Sequence, residues 1–141
     1  MIGEILNVFG QVLLDPMALS LSVLGVLLGI ILGALPGVSS TMSLAVLLPI
    51  SFSMSPAHAM MFLLGIFSAS VYGGSISAIL INIPGTPGAI ITQMDGYPMA
   101  RNGRAGEALT YALFASTFGG VLGWMMLVVC APLVADAALH F

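Results

Sequence analysis

Apolar residues run along this chain in long stretches, and polar residues gather in short punctuations between them. From Met17 to Leu35 the sequence holds no charge, and at 1.5 Å per residue the run is long enough for one helix to cross the apolar core of a bilayer. Asp15-Pro16 just before it is a cap and first-turn pair of the kind with which helices begin. Further upstream Ile2, Ile5, Leu6, Phe9, Val12 and Leu13 recur at helical spacing with Glu4, Asn7 and Gln11 on the other side, which predicts an interfacial helix over residues 1–16.

The first span is disturbed at Pro36-Gly37, because proline lacks a backbone donor and crowds the preceding turn. Ser39, Ser40 and Thr41 follow, residue types that start a new helix, and Met42 to Ile50 is too short to span, so it predicts a half-helix ending near Pro49. Ser51 to Pro56 reads as a turn or membrane edge. Ala57 to Ile81 is again span-length, with an interruption expected at Tyr72-Gly73-Gly74-Ser75 and a definite stop at Asn82-Ile83-Pro84-Gly85-Thr86-Pro87-Gly88. Asp95 to Gly106 is the most polar stretch and is expected in water, and Ala108 to Ala135 forms the last apolar segment.

The pattern therefore predicts an all-α integral membrane protein of about three to four transmembrane or re-entrant helical segments, with helices broken at Pro-Gly motifs. It reads as one transmembrane domain over 1–141, divided into the interfacial helix 1–16, first span and broken half-helix 17–56, second span and Pro-Gly break 57–94, polar loop 95–106 and last span 107–141. Gly25, Gly29 and Gly33 repeat every fourth residue, as do Gly119 and Gly123, and such spacing lines a helix face with bare backbone for close packing.

Composition narrows the solvent. Hydrophobic residues make up 60% of the chain and charged residues 5%, whereas a soluble domain carries roughly 25% charged residues. The net charge of -3 comes from Glu4, Asp15, Asp95, Glu107 and Asp136, which fall near predicted segment ends. The cations are Arg101 and Arg104 alone, too few for a nucleic-acid groove. Their placement near a span end favours the cytoplasmic side for that loop. Cys130, the single cysteine, supports neither a disulfide nor a thiolate metal site, and the uncharged-to-acidic start of the chain is unlike a cleaved signal peptide.

Candidate chemistry sits at the two breaks. Non-helical backbone at membrane depth is tolerated where it is buried in protein or lines a wet cavity. A helix that restarts after Pro-Gly aims free N–H groups and a positive dipole end into the gap, which stabilises an anion without a buried cation. Freed carbonyls and the oxygens of Ser39, Ser40, Thr41, Ser75, Asn82 and Thr86 are hard ligands suited to a sodium ion. The simpler alternative is that proline and glycine only kink packed helices. Asp95 reads as a turn cap or as a ligand of a coupling ion. His58 and His140 do not make a convincing metal site, Trp124 and Tyr97 suit packing or interfacial anchoring, and nothing pairs a nucleophile with a base, so no catalytic residue is expected.

The segment Gly65 to Leu109, GIFSASVYGGSISAILINIPGTPGAIITQMDGYPMARNGRAGEAL, strongly resembles the large membrane subunit of tripartite tricarboxylate transporters, the TctA family. The resemblance is carried by Tyr72-Gly73-Gly74-Ser75-Ile76, by Asn82 through Gly88, by Asp95-Gly96-Tyr97-Pro98-Met99-Ala100 with Gly103-Arg104-Ala105-Gly106, and upstream by Gly33-Ala34-Leu35-Pro36-Gly37. It implies a multi-pass subunit of the bacterial inner membrane, a secondary transporter rather than an enzyme. Such a subunit takes up di- or tricarboxylates, coupled to sodium ions or protons, with no other cofactor. The partners it implies are a small membrane subunit and a periplasmic solute-binding protein. The substrate or ion site is expected at Pro36, Gly37, Ser39, Ser40, Thr41, Ser75, Asn82, Pro84, Gly85 and Thr86.

The match covers only the N-terminal part of such a subunit, whose members are several times longer and carry a related second half. The chain is accordingly expected to need a C-terminal half or a second copy of itself. The rival expectation is a truncated or structural membrane fragment that associates through its glycine faces and transports nothing alone.

Overall fold

The computed structural model describes residues 10, 12 and 14–139, with side chains left out at 131–133 and 135–139. The interfacial helix expected over residues 1–16 falls mainly outside these residues, as does His140. Among the described residues the chain is all helix and turn, in the order α1 (Pro16–Ala34), α2 (Ser40–Ser51), α3 (Pro56–Ile81), α4 (Ala89–Met99), a π-helical turn (Ala100–Arg104) and α5 (Ala105–Leu139). Three helical stretches, Pro16–Ala34, Pro56–Ile81 and Ala89–Cys130, are long and apolar enough to cross a membrane.

α1 and α3 begin in the same way. Asp15 caps α1 by accepting the amides of Met17 and Ala18 through its side chain, Ser55 caps α3 by accepting that of His58, and a proline follows each cap. The two helices then run parallel with their backbones in contact. A Cβ at Gly25 would strike the Phe62 carbonyl, one at Gly29 would lie 2.5 Å from that of Ile66, and one at Gly33 would strike Ser70. From the other side, a Cβ at Gly65 would lie 2.9 Å from the Ser22 carbonyl and one at Gly73 2.8 Å from that of Ile30. The glycine spacing read from α1 thus finds its partner inside the chain.

α1 and α2 turn their small and polar residues inward and their large apolar residues outward, while α3 also buries Phe62, Ile66 and Ile79. α1 buries Ala18, Gly25, Gly29 and Gly33 while Val23, Leu24, Leu27 and Ile31 are exposed. α2 buries Ser40, Ser43 and Ser51 while Met42, Val46, Leu48 and Ile50 are exposed. Water would enforce the reverse arrangement. Lipid solvates large apolar side chains as well as a protein core does, so close backbone packing decides which face is buried. Several of the buried hydroxyls are satisfied locally, Ser43 donating to the Ser39 carbonyl at 3.2 Å, Ser70 to that of Phe67 at 2.9 Å and Ser77 to that of Gly74 at 3.1 Å.

The structure differs from the sequence expectation in three places. α3 runs without interruption through Tyr72-Gly73-Gly74-Ser75, because the packing these glycines permit outweighs a helix-propensity cost of about 1 kcal/mol each. α2 begins at Ser40 and carries Pro49 within its last turn, ending at Ser51. The polar stretch 95–106 is no loop: Asp95 to Met99 belong to α4, and only Asn102 and Gly103, the latter at φ 78, leave helical geometry before α5. Arg104 there pairs with Glu107 at 2.6 Å, a local ion pair that lets the charged turn continue as helix.

Candidate functional site: two helix breaks at one level of the fold

The second break is a re-entrant hairpin. α3 stops at Asn82, which adopts a left-handed conformation (φ 62, ψ 27) and turns the chain back on itself. Asparagine is among the few residues other than glycine that tolerate this region. The chain then descends along α3, with the Ile83 amide on the Ser77 carbonyl at 3.5 Å and the Gly85 amide on that of Gly74 at 3.4 Å. At the tip, Thr86 is buried and packs on Gly74, where a Cβ would lie 2.9 Å from its methyl carbon. The tip lies about two helical turns, roughly 11 Å, below the end of α3, and α4 climbs from it, with Gly96 against Ile79.

α1 ends at the same level. A Cβ at Gly73 would lie 2.9 Å from the amide nitrogen of Ala34, and one at Gly85 would lie 2.9 Å from both the Gly33 carbonyl oxygen and the Gly74 Cα. Gly73 and Gly74 are therefore the platform on which the last turn of α1 and the tip of the re-entrant hairpin meet. The first break starts immediately beyond, at Leu35, Pro36 and Gly37, the last at φ 85. Ser39 then caps α2, its hydroxyl accepting the Met42 amide at 3.2 Å and its carbonyl the Ser43 amide at 2.9 Å.

The two restarting helices are capped differently. At α2 the amides of Ser40 and Thr41 have no protein acceptor among the described residues, so this end offers the uncommitted donors that favour an anion. At α4 the Ala89 amide turns back to the Thr86 carbonyl at 3.0 Å and that of Ile90 to Pro87 at 3.3 Å, with no side-chain cap. The Ile91 and Thr92 amides of α4 likewise have no protein acceptor among the described residues, so both restarts present free amides.

The remaining expected site residues fall around this level or above it. Pro36, Gly37 and Thr41 are exposed, Ser39 is half-buried, and Ser40 is buried. Ser75 is buried on α3 next to Gly74, and Pro84 is half-buried in the hairpin. Among the described residues no hydrogen bond joins Ser39, Ser40 or Thr41 to Ser75, Asn82 or Thr86. Asn82 stands apart at the end of α3, where its carbonyl and side-chain oxygens both accept from Gln93, at 2.8 and 2.7 Å. Asp95 lies within α4 and caps no turn; its exposed carboxylate borders a cleft of about 290 Å³ between α4 and α5 that Thr92 and Tyr111 also line.

Three features escape a reading of the sequence. Gly73 and Gly74 have the look of a helix interruption, although their alternative use, close backbone approach, is already evident in α1. Gln93 carries no motif. Asp15 and His58 are 43 positions apart, yet their side chains pair at 2.8 Å across the starts of α1 and α3, and the other ring nitrogen of His58 lies 2.9 Å from the Ser55 hydroxyl. That bond to His58, with the amides of Ala18 and Met17, holds the Asp15 carboxyl below its usual range. The shared cap-proline signatures of Asp15-Pro16 and Ser55-Pro56 are the available sign that two like helix ends sit side by side. Among the described residues no three His, Cys, Asp or Glu side chains converge as metal ligands would.

Residues 19–141 match the model of the tripartite tricarboxylate transporter TctA family. The chain is 45% identical over 128 residues to an uncharacterized 52.8 kDa protein of Agrobacterium vitis from the TAR-I ttuC' 3' region, an overlap of 91% of this chain. It spans only 26% of that relative's length. No solved structure matches the chain.

Proposed function

The chain belongs to the tripartite tricarboxylate transporter TctA family, and from that premise we propose that it forms the N-terminal part of a permease subunit that moves di- or tricarboxylates across the bacterial inner membrane. The substrate is delivered by a periplasmic binding protein, a small membrane subunit completes the complex, and a sodium ion or proton gradient drives uptake. The observation that supports this reading best is the meeting of α1's end and the hairpin tip on Gly73 and Gly74. Broken helices that meet inside a membrane protein give amide donors for substrate carboxylates and carbonyl or hydroxyl oxygens for a coupling cation.

In this reading Ser40 and Thr41 supply backbone donors to a carboxylate. Thr86 and Ser75 contribute hydroxyl oxygens near the platform, Gly85 lets the chain pass where a side chain would not fit, Gly37 takes the left-handed backbone of the first break, and Pro36 and Pro84 keep the breaks open. Asn82 shapes the hairpin. The site is completed by chain outside these residues, either a C-terminal half or a second copy.

A second reading has its own support. Among the described residues α5 is exposed throughout Leu113 to Leu127, including Gly119, Gly120 and Gly123, where an added Cβ would meet nothing within 4 Å. A membrane fragment that associates through this face, without moving solute, would look the same.

Uptake separates the two. Cells expressing the binding protein and small subunit are supplied with a panel of labelled carboxylates under a sodium or proton gradient, with and without this chain, and with and without the C-terminal half of a longer relative. Transport predicts gradient-dependent uptake that needs the chain. Uptake that never depends on it, in any combination, contradicts the transport reading and leaves the associating fragment.

A further inference from the structure

Among the described residues only two side-chain contacts tie one helix to another by hydrogen bonds: the Asp15–His58 pair at the start of the bundle, and Gln93 on Asn82. The second stands at the mouth of the re-entrant hairpin, and its chemistry is unambiguous in one respect. The Asn82 backbone oxygen can only accept, so the Gln93 group 2.8 Å away must be the amide nitrogen. That nitrogen carries two hydrogens and spends one on each oxygen of Asn82, closing a fork over the residue whose left-handed backbone starts the hairpin.

The geometry points to Gln93 as the positioning residue of this hairpin: a latch that clips α4 to the end of α3 and so keeps the Pro84-Gly85-Thr86 tip pressed on Gly74. The tip itself is held weakly. Its amide contacts with α3 are 3.4 and 3.5 Å long, at or beyond the end of the normal range. Below the latch, α4 has no side-chain cap. The contacts that would resist opening are thus the packing of Thr86, Gly85, Ala89 and Gly96, plus the two short bonds from Gln93. Asn82 adds a conformational preference for the turn, but a left-handed residue fixes direction only locally, and it is Gln93 that spans from one helix to the next. The inference rests on the transport reading only for what the hairpin carries; that the latch holds the hairpin is independent of any substrate.

The test uses the full membrane-embedded protein with Cys130→Ala, so that introduced thiols report alone. Thr86→Cys places a near-isosteric thiol at the buried tip, and Ser70→Cys, in a separate chain, places one at a fully buried site of the α1–α3 seam. Maleimide labelling of the tip thiol and of the seam thiol is followed at the same pH. Gln93→Ala is expected to speed labelling of the tip thiol by about tenfold, the change that loss of roughly 1.4 kcal/mol of hydrogen bonding produces, while the seam thiol stays protected. Gln93→Glu keeps the size and shape of the side chain but has no donor when ionised, and it is expected to behave as Gln93→Ala does. Unchanged labelling in both variants overturns the latch. So does an equal rise at the seam and the tip, which would mean general loosening, and so does a Gln93→Glu protein that labels like its parent, which would mean that packing alone matters. In uptake, an open hairpin lowers the competent fraction and raises KM with little change in maximal rate. Faster labelling with an unchanged KM would keep the latch and count against the hairpin as part of the substrate site.

Discussion

Gly25, Gly29 and Gly33 of α1 and Gly119 and Gly123 of α5 share a four-residue spacing, yet an added Cβ would collide with α3 at each of the first three and meet open space at both of the others. α1 spends its glycines inside the chain, on a parallel neighbour that brings its own Gly65 and Gly73 to the seam. α5, at 35 residues about 52 Å long, exceeds the roughly 30 Å apolar core of a bilayer and, among the described residues, buries only Ala108. Small-residue spacing therefore states what a helix face permits; which face takes up the offer depends on the partner that the fold brings to it. The polar breaks lie beside the used face, and the bare face carries none of the expected site residues.

The contrast is sharpest under bulky substitution. Gly29→Leu forces a side chain into a gap where even a Cβ would lie 2.5 Å from the Ile66 carbonyl, so it is expected to cost about 3 kcal/mol, the upper end of overpacking. Denaturant unfolding in detergent micelles would show it, as would loss of a protease-resistant core. Retention of parent stability would separate α1 from α3 and undo the seam.

A smaller effect is expected at the start of the same seam. The Asp15 carboxyl is held below its ordinary range, which for an aspartate lies at about 3.9, so what it contributes is complete above that value and is lost as pH falls through the lowered folded-state value. Stability of the parent should therefore drop in acid below about pH 4. Asp15→Asn should lose part of that dependence, read from thermal unfolding across a pH series. A variant with an unchanged acid limb would show that the pair does not clamp the two helix starts.

The smallest effect belongs to the bare helix. Gly119→Ala meets no neighbour and is expected to change stability by less than about 1 kcal/mol, in the direction of alanine's better helix propensity. A large loss in the chain alone would mean that α5 folds back on a face that the structure leaves open.

Much of this is legible in the pattern of residues. The spans, the cap-proline starts and the stop at Asn82 follow from run length, side-chain type and backbone chemistry, all of which act over a few residues. What the sequence hides depends on distant neighbours. Tyr72-Gly73-Gly74-Ser75 has the composition of a break, and only the arrival of Gly33 and Thr86 at that level makes it a platform inside a continuous helix. Asp95 to Gly106 has the polarity of a loop, but the local Arg104–Glu107 pair and a single left-handed Gly103 let it pass as helix with a kink. Gln93 cannot be singled out, since a lone glutamine signals nothing until Asn82 stands opposite it.

The central claim is that the hairpin tip on the Gly73–Gly74 platform forms part of a carboxylate site, and equilibrium binding of labelled di- and tricarboxylates to the assembled subunit tests it most directly. The comparison sets Gly85→Ala, whose Cβ would meet the backbone of Gly33 and Gly74 at 2.9 Å, against Gly119→Ala on the bare helix, with membrane insertion verified for both. The account predicts that Gly85→Ala weakens binding by about tenfold or more, at least roughly 1.4 kcal/mol, while Gly119→Ala binds as its parent does. Equal binding by both proteins would contradict it.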